Sequence, residues 1–241
     1  MNDQPRFAIY LAPEPQEKLW SFGSSWIGYD AQTRASLKHP ALPGITPEAI
    51  HEATEHPRLY GLHVTVKAPF RLMDGVCVSE LEDAAEELAC RHHPIGPFSL
   101  VLEERKVGEA NLFLCLAPAE KQPALHRLEA DAVVTLDPFR APLTLAEVSR
   151  RRPDRLGRTE LGYLQSYGYP YVLDAFQPHI SLTGPIAPDS PLRTGLAQRL
   201  NSEADLMQFA ARSLLIFEQP EPGARFYIRQ RYRLGAKAAK L

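Results

Sequence analysis

Two octets in this chain repeat each other position by position, and the repeat limits the folds open to it. The first is His63-Val64-Thr65-Val66-Lys67-Ala68-Pro69-Phe70, and the second is His179-Ile180-Ser181-Leu182-Thr183-Gly184-Pro185-Ile186. Each reads imidazole, β-branched, hydroxyl, aliphatic, polar, small, proline, apolar. An aromatic residue, Tyr60 or Phe176, stands three places before each histidine. Polar and aliphatic residues alternate as in a half-buried strand. Used twice, 116 positions apart (63 to 179), such a strand points to a duplicated half-domain.

Alternation also assigns faces. Side chains two apart on a strand share a side, so the octets predict His63, Thr65 and Lys67 on one face with Val64 and Val66 opposed. They likewise set His179, Ser181 and Thr183 against Ile180 and Leu182. The aliphatic pairs suit a core and the polar trios a wet cleft. A pseudo-twofold between the halves lets the two trios face each other across that cleft.

Around the octets the pattern mixes strands and helices. Strands are expected at Phe7–Leu11, Leu62–Phe70, Phe98–Arg105, Asn111–Leu116, Phe176–Thr183, Ser213–Gln219 and Arg225–Arg233. Helices are expected over Gln16–Trp26, Gln122–Leu136, Thr144–Arg152, Thr159–Tyr167 and Pro191–Asn201, with a short one near Pro47 in an otherwise loop-like 30–57. Ser79 to Glu82 reads as a capping box that opens a helix running to Arg91. No low-complexity linker divides the chain, so residues 1–241 are expected to form a single domain. This order favours α+β with antiparallel sheets over a doubly wound parallel sheet.

The paired motifs specify chemistry as well. Two imidazoles on opposite sides of a phosphodiester can act as general base and general acid in one in-line displacement, and histidine titrates near neutrality without help. The hydroxyls of Thr65 and Ser181 are placed to hold non-bridging phosphoryl oxygens, and Lys67 to offset their charge. The scheme requires no metal or cofactor. His39, His51 and His56 match no common zinc spacing, and His51 to His56 is one residue too long for H-E-x-x-H. No GxGxxG, GxxxxGKS or GxSxG is present. Further candidates for touching substrate are Tyr10, Thr183, Gln219 and Arg140; Arg140, Arg150, Arg151 and Arg152 could each bind a second phosphate or a phosphonate, and Arg140 is chosen because it sits in a proline-rich apolar loop. Tyr169 and Tyr171 are expected to pack, and His92 to cap a helix end.

Composition narrows the partners. A net charge of −2 argues against a surface that coats long nucleic acid, so a small anionic phosphate ester is the expected ligand. No apolar run is long enough to span a bilayer, and the first residues lack the apolar stretch of a signal peptide. A cytoplasmic location is the expectation, with Cys77, Cys90 and Cys115 reduced. The sequence leaves the oligomeric state open.

Paired H-x-[TS]-hydrophobic motifs are the signature of the two-histidine phosphoesterase superfamily, which includes the LigT-type RNA cyclic phosphodiesterases, and this chain resembles that group. Residues Arg58 to Phe70 look more closely like the branch encoded beside bacterial phosphonate-degradation genes. Phe7-Ala8-Ile9-Tyr10-Leu11-Ala12-Pro13, Phe139-Arg140-Ala141-Pro142-Leu143, Gly168-Tyr169-Pro170-Tyr171-Val172 and Phe217-Glu218-Gln219 extend the likeness. The resemblance implies a bilobal α+β fold, helices outside, with two pseudo-symmetric antiparallel sheets facing a central cleft. It also implies metal-independent phosphoesterase chemistry with His63 and His179 as the catalytic pair and Thr65 and Ser181 holding phosphate. A small cyclic phosphate in phosphonate breakdown is the implied substrate. The alternatives are a nucleotide or RNA-end 2′,3′-cyclic phosphate and a non-catalytic module that binds a phosphate ester.

Overall fold

The structure, a computed structural model, describes residues 4–236. Among the described residues there are eight strands and eight α-helices, interspersed in mixed runs. The strands are β1 (Arg6–Leu11), β2 (Val64–Arg71), β3 (Ile95–Val107), β4 (Asn111–Pro118), β5 (Ile180–Ser181), β6 (Gln208–Ala211), β7 (Ser213–Gln219) and β8 (Tyr227–Arg233). The helices are α1 (Lys18–Ile27), α2 (Pro47–Ala53), α3 (Glu55–Tyr60), α4 (Val78–Arg91), α5 (Pro123–Thr135), α6 (Leu145–Arg150), α7 (Arg158–Tyr167) and α8 (Leu192–Asn201). All strand pairings are antiparallel, which gives the α+β class expected from the order of elements.

The strand order is β6-β3-β4-β5-β2-β1-β7-β8. Its two halves, β6-β3-β4-β5 and β2-β1-β7-β8, meet where β5 pairs with β2 through one residue pair, Val64 with Ile180. Those residues occupy the same position in the two octets. A local twofold axis runs through any antiparallel pair, so at this junction the repeat in the sequence becomes a half-turn in space. Counting outward from the pair sets His63 across from Ser181 and Thr65 across from His179.

Val64 and Ile180 are buried in one apolar cluster with residues from both halves, among them Ile9, Leu11, Leu114, Leu116, Leu215 and Phe217. Helix α5 packs on β2 and α4, and α4 on β7 and β8. The fully buried Trp26 of α1 donates its indole N–H to the Leu182 carbonyl at 2.8 Å, which ties the first helix to the second octet.

Several boundaries differ from the sequence reading. Glu80 closes the start of α4, but its carboxylate accepts from the Cys77 backbone N–H at 2.7 Å, so the cap lies two residues before Ser79. The expected strand over Phe176–Thr183 shrinks to Ile180–Ser181. Helix α3 and edge strand β6 were not foreseen; both are short, and neither shows a long period in the sequence.

Candidate active site

A cleft of about 1130 Å³ opens over the junction between the halves, and His63, Thr65, His179 and Ser181 all line it. The two histidines are anchored alike. His63 Nδ1 lies 2.9 Å from the Gly61 carbonyl oxygen, and His179 Nδ1 lies 2.8 Å from that of Gln177. In each case the acceptor sits two residues earlier. A carbonyl only accepts, so a proton on Nδ1 is fixed there and Nε2 is the atom left for chemistry. His63 Nε2 also lies 3.1 Å from Thr65 Oγ1.

The surroundings of the two rings differ. His63 stacks on Tyr10 with ring centroids 3.7 Å apart. Burial is the main cause that pushes its pKa down to about 4, with His179 and His56 adding to the fall and the Gly61 carbonyl opposing it. His179 is also lowered, again mainly by burial, with Arg105 reinforcing the shift and Glu103 and the Gln177 carbonyl opposing it. Arg105 Nη1 lies 3.0 Å from the same His179 Nδ1, but a guanidinium only donates, so while Nδ1 holds its proton toward the Gln177 carbonyl this contact is a cation beside the ring and not a hydrogen bond. Both rings are therefore neutral in the open cleft at pH 7, and each Nε2 lone pair can accept a proton.

The extension of each polar trio to a third residue fails in the same way in both halves. In β2, Thr65 pairs with Tyr10 and Lys67 with Ile9, so two steps on one strand match one on the other. A bulge of this kind re-aims the side chains beyond it. Lys67 turns away from the cleft, buried, to donate to Asp137 Oδ1 at 2.9 Å and to the Val133 carbonyl at 3.2 Å. In the second octet the N–H groups of Leu182 and Thr183 both reach the Leu114 carbonyl. Thr183 is buried, and its Oγ1 accepts from Leu114 N–H at 2.9 Å. Neither Lys67 nor Thr183 lines the cleft.

Two more candidates lie behind the wall. Arg140 donates to both carboxylate oxygens of Asp137, at 2.8 and 3.1 Å, and to the Ser166 carbonyl. Gln219 is 1% exposed and accepts from Arg6 Nε at 2.7 Å while donating to the Ala224 carbonyl. Arg6, which the sequence reading passed over, does line the cleft, as do Arg105, Arg151, Tyr60, Tyr169 and Tyr171. Arg6 is a lone charge just before the first expected strand, and Arg151 is the middle of three consecutive arginines, Arg150 to Arg152, weighed beside Arg140 and set aside; no sequence period marks either.

Tyr10 keeps its place among the candidates. It is 1% exposed and borders the cleft. Burial raises its phenol well above the ordinary range, with Arg6 and Arg151 as the cations that oppose the rise. At neutral pH it is therefore a hydrogen-bond donor.

The far wall runs from Tyr169 to Gln177 and is held from inside. Leu173 adopts a left-handed backbone, φ +54°, and its N–H is bound by both carboxylate oxygens of buried Glu129 at 3.2 and 3.1 Å. Burial lifts Glu129 to about 7, against the opposing pull of the Leu173 N–H and Lys67.

Among the described residues no three His, Cys, Asp or Glu side chains converge as a metal's ligand set. His39 and His51 do meet, at 3.3 Å, but Arg58 Nη1 lies 3.0 Å from His51 Nδ1, so a cation already sits on that nitrogen. His92 ends α4 and lies 2.9 Å from Asp131. No helix is long and apolar enough to cross a membrane among the described residues.

Among curated proteins, the ribose 1,5-bisphosphate phosphokinases PhnN of Janthinobacterium sp. (strain Marseille) and Laribacter hongkongensis (strain HLHK9) are each 29% identical, over 94% and 92% of this chain. The chain spans about half the length of these relatives, 50% of each. Among solved structures, Escherichia coli LigT in complex with 3′-AMP aligns over 98% of this chain and 100% of its own, at 12% identity and a TM-score of 0.43. Kluyveromyces marxianus Usb1 aligns over 94% and 98%, at 12% identity and a TM-score of 0.35. Structural likenesses this slight carry no argument about activity. A family profile described as "Protein of unknown function (DUF1045)" matches residues 65–227, well over half of the sequence, and the chain belongs to that family.

Proposed function

We propose that the protein is a two-histidine phosphoesterase that opens a small cyclic phosphate without a metal ion. The observation that carries this reading is the meeting of the two octets at Val64 and Ile180. Through it, two imidazoles with Nδ1 anchored and two hydroxyls border one cleft. Binding alone would need hydroxyls and cations; an acid–base pair is what hydrolysis adds.

Water attacks the phosphorus in line with the ester bond that breaks. One Nε2 takes the water's proton, and the other, protonated, delivers a proton to the departing ring oxygen. The products are an opened monoester and a freed hydroxyl, and the two histidines exchange protonation states over the turnover. Thr65 and Ser181 donate to the non-bridging oxygens, where charge builds in the transition state. The bound anion raises the pKa of whichever imidazole must be the acid.

The names of the curated relatives support a sugar substrate. Breaking the phosphorus–O2 bond of a 1,2-cyclic phosphate on a ribose that bears a 5-phosphate would release ribose 1,5-bisphosphate, the compound those relatives are named for phosphorylating. This agrees with a place in phosphonate breakdown.

Phosphorus NMR on a panel of esters in EDTA tests the reading. The panel holds ribose 1,2-cyclic phosphate with and without a 5-phosphate, 2′,3′-cyclic nucleotides and linear diesters. Turnover of a sugar cyclic phosphate in EDTA, lost in His63→Ala and in His179→Ala, is the expected result. Turnover that survives both substitutions refutes the mechanism, and preference for the cyclic nucleotides moves the substrate class.

A further inference from the structure

The His63 end of the cleft carries more positive charge than a single phosphodiester needs. Arg6 and Arg151 border it, both half-buried, and among the described residues neither has a carboxylate partner. By contrast Arg105, at the His179 end, is neutralised by Glu103 at 2.9 Å. Buried Gln219 takes only Nε of Arg6, which aims the guanidinium and leaves its two terminal nitrogens for another acceptor. Arg151 lies over the Tyr169 ring, 4.8 Å from its centroid. Tyr10 lines the same end of the cleft, and the charges of both Arg6 and Arg151 act on its phenol.

A guanidinium without a counter-ion in a partly closed site is costly unless an anion arrives. Guanidinium forks match the oxygens of a phosphate, and a buried phenol adds one more donor. We propose that Arg6, Arg151 and Tyr10 form a second anion subsite, which receives a phosphate monoester carried on the same molecule as the cyclic phosphate. The inference rests on the phosphoesterase reading for what the first site does, but the subsite can be tested without turnover.

The subsite breaks the symmetry of the floor. It lies on the His63 side only, so it fixes which way round an elongated substrate lies and which ester oxygen faces which histidine. Arg6 and Arg151 come from outside the repeated octets, as residues that set specificity on a duplicated floor would.

The test pairs binding with kinetics. Calorimetry measures ribose 5-phosphate and ribose binding to the wild-type chain, to Arg6→Met and to Arg151→Met. Ribose 5-phosphate is expected to bind at least about a hundredfold tighter than ribose, and each substitution to weaken it about tenfold or more, the size of a lost charge-assisted hydrogen bond. Equal binding of the two sugars, or ribose 5-phosphate binding unchanged in both variants, overturns the subsite. In kcat/KM, each substitution is expected to cost at least about tenfold more on the 5-phosphorylated cyclic phosphate than on its unphosphorylated analogue. Equal losses on both also overturn it. If no cyclic phosphate turns over while the binding differences hold, the subsite stands and the phosphoesterase reading falls.

Discussion

Replacing Gly61 by alanine should damage the fold and the site together, by an amount the structure sets. Gly61 follows α3 with φ +79° and ψ 175°, a region open to little but glycine; holding another residue there costs roughly 1–3 kcal/mol. The new methyl would also lie 2.8 Å from Cβ of Ala31, which is fully buried, and overpacking of this kind adds roughly 1–3 kcal/mol. The sum is about 2–6 kcal/mol. At roughly 2–4 °C per kcal/mol for a chain of this size, that is a fall in Tm of roughly 4–24 °C. The Gly61 carbonyl also holds His63 Nδ1, so backbone relief moves the ring, and a displacement of about 1 Å costs on the order of a hundredfold in rate. Thermal melts and kcat/KM for Gly61→Ala, Ala31→Gly and the double variant form the assay. Ala31→Gly removes the methyl contact, so the double variant should melt higher than the two single losses sum to, while the backbone cost and the lost activity persist. A Gly61→Ala protein with wild-type Tm and rate would refute both the strain argument and the anchoring of His63.

Three other expectations follow from the same geometry. Both imidazoles are lowered in the open cleft, His63 to about 4, so the singly protonated pair that catalysis needs is most populated below pH 6.5; kcat/KM should peak there and decline toward pH 8, and a maximum at pH 8 or above would contradict the assignment. Glu129 is raised to about 7 in the fold, so the native state loses stability as pH climbs from the unfolded carboxyl's value, about 4.5, through 7; Glu129→Gln should gain stability relative to wild type between pH 5 and 8, up to about 3 kcal/mol in urea titrations, and a gap independent of pH would show that the carboxyl is ionised throughout. Thr65→Ala and Ser181→Ala should each lower kcat by roughly 10- to 1000-fold with the fold intact, and unchanged rates in both would remove them from the site.

The sequence carried the floor of the cleft further than its walls. The match of His63-Val64-Thr65 with His179-Ile180-Ser181 needs only two strands used alike, and the pairing of Val64 with Ile180 realises that likeness directly. Lys67 and Thr183 were misplaced because period-two reasoning assumes an unbroken pleat, and each strand departs from it just past the hydroxyl residue. Bulges leave no residue signature here, since neither octet places glycine at the break. Arg140 was preferred for its proline-rich apolar setting, yet that setting serves its ion pair with Asp137. Arg151 was weighed for an anion and set aside in favour of Arg140, and Arg6 was passed over; both reach the cleft because of how distant segments fold back on it, which no local window contains. Tyr169 and Tyr171 follow the same logic, expected to pack but placed on the wall.

The half-turn through Val64 and Ile180 has a consequence for how such a chain can change its preferences. A backbone floor that maps onto itself when rotated holds little information about direction: only its side chains, Thr65 against Ser181, and the groups around each ring tell the two imidazoles apart. Further polarity has to be written into segments that were not duplicated, such as the turn into β1, the end of α6 and the loop after α7. Those segments can drift without disturbing the proton-transfer pair. Under the proposed reading, one reaction centre could be handed from ester to ester by rewriting its borders, and related chains should differ most where the substrate's far end lies.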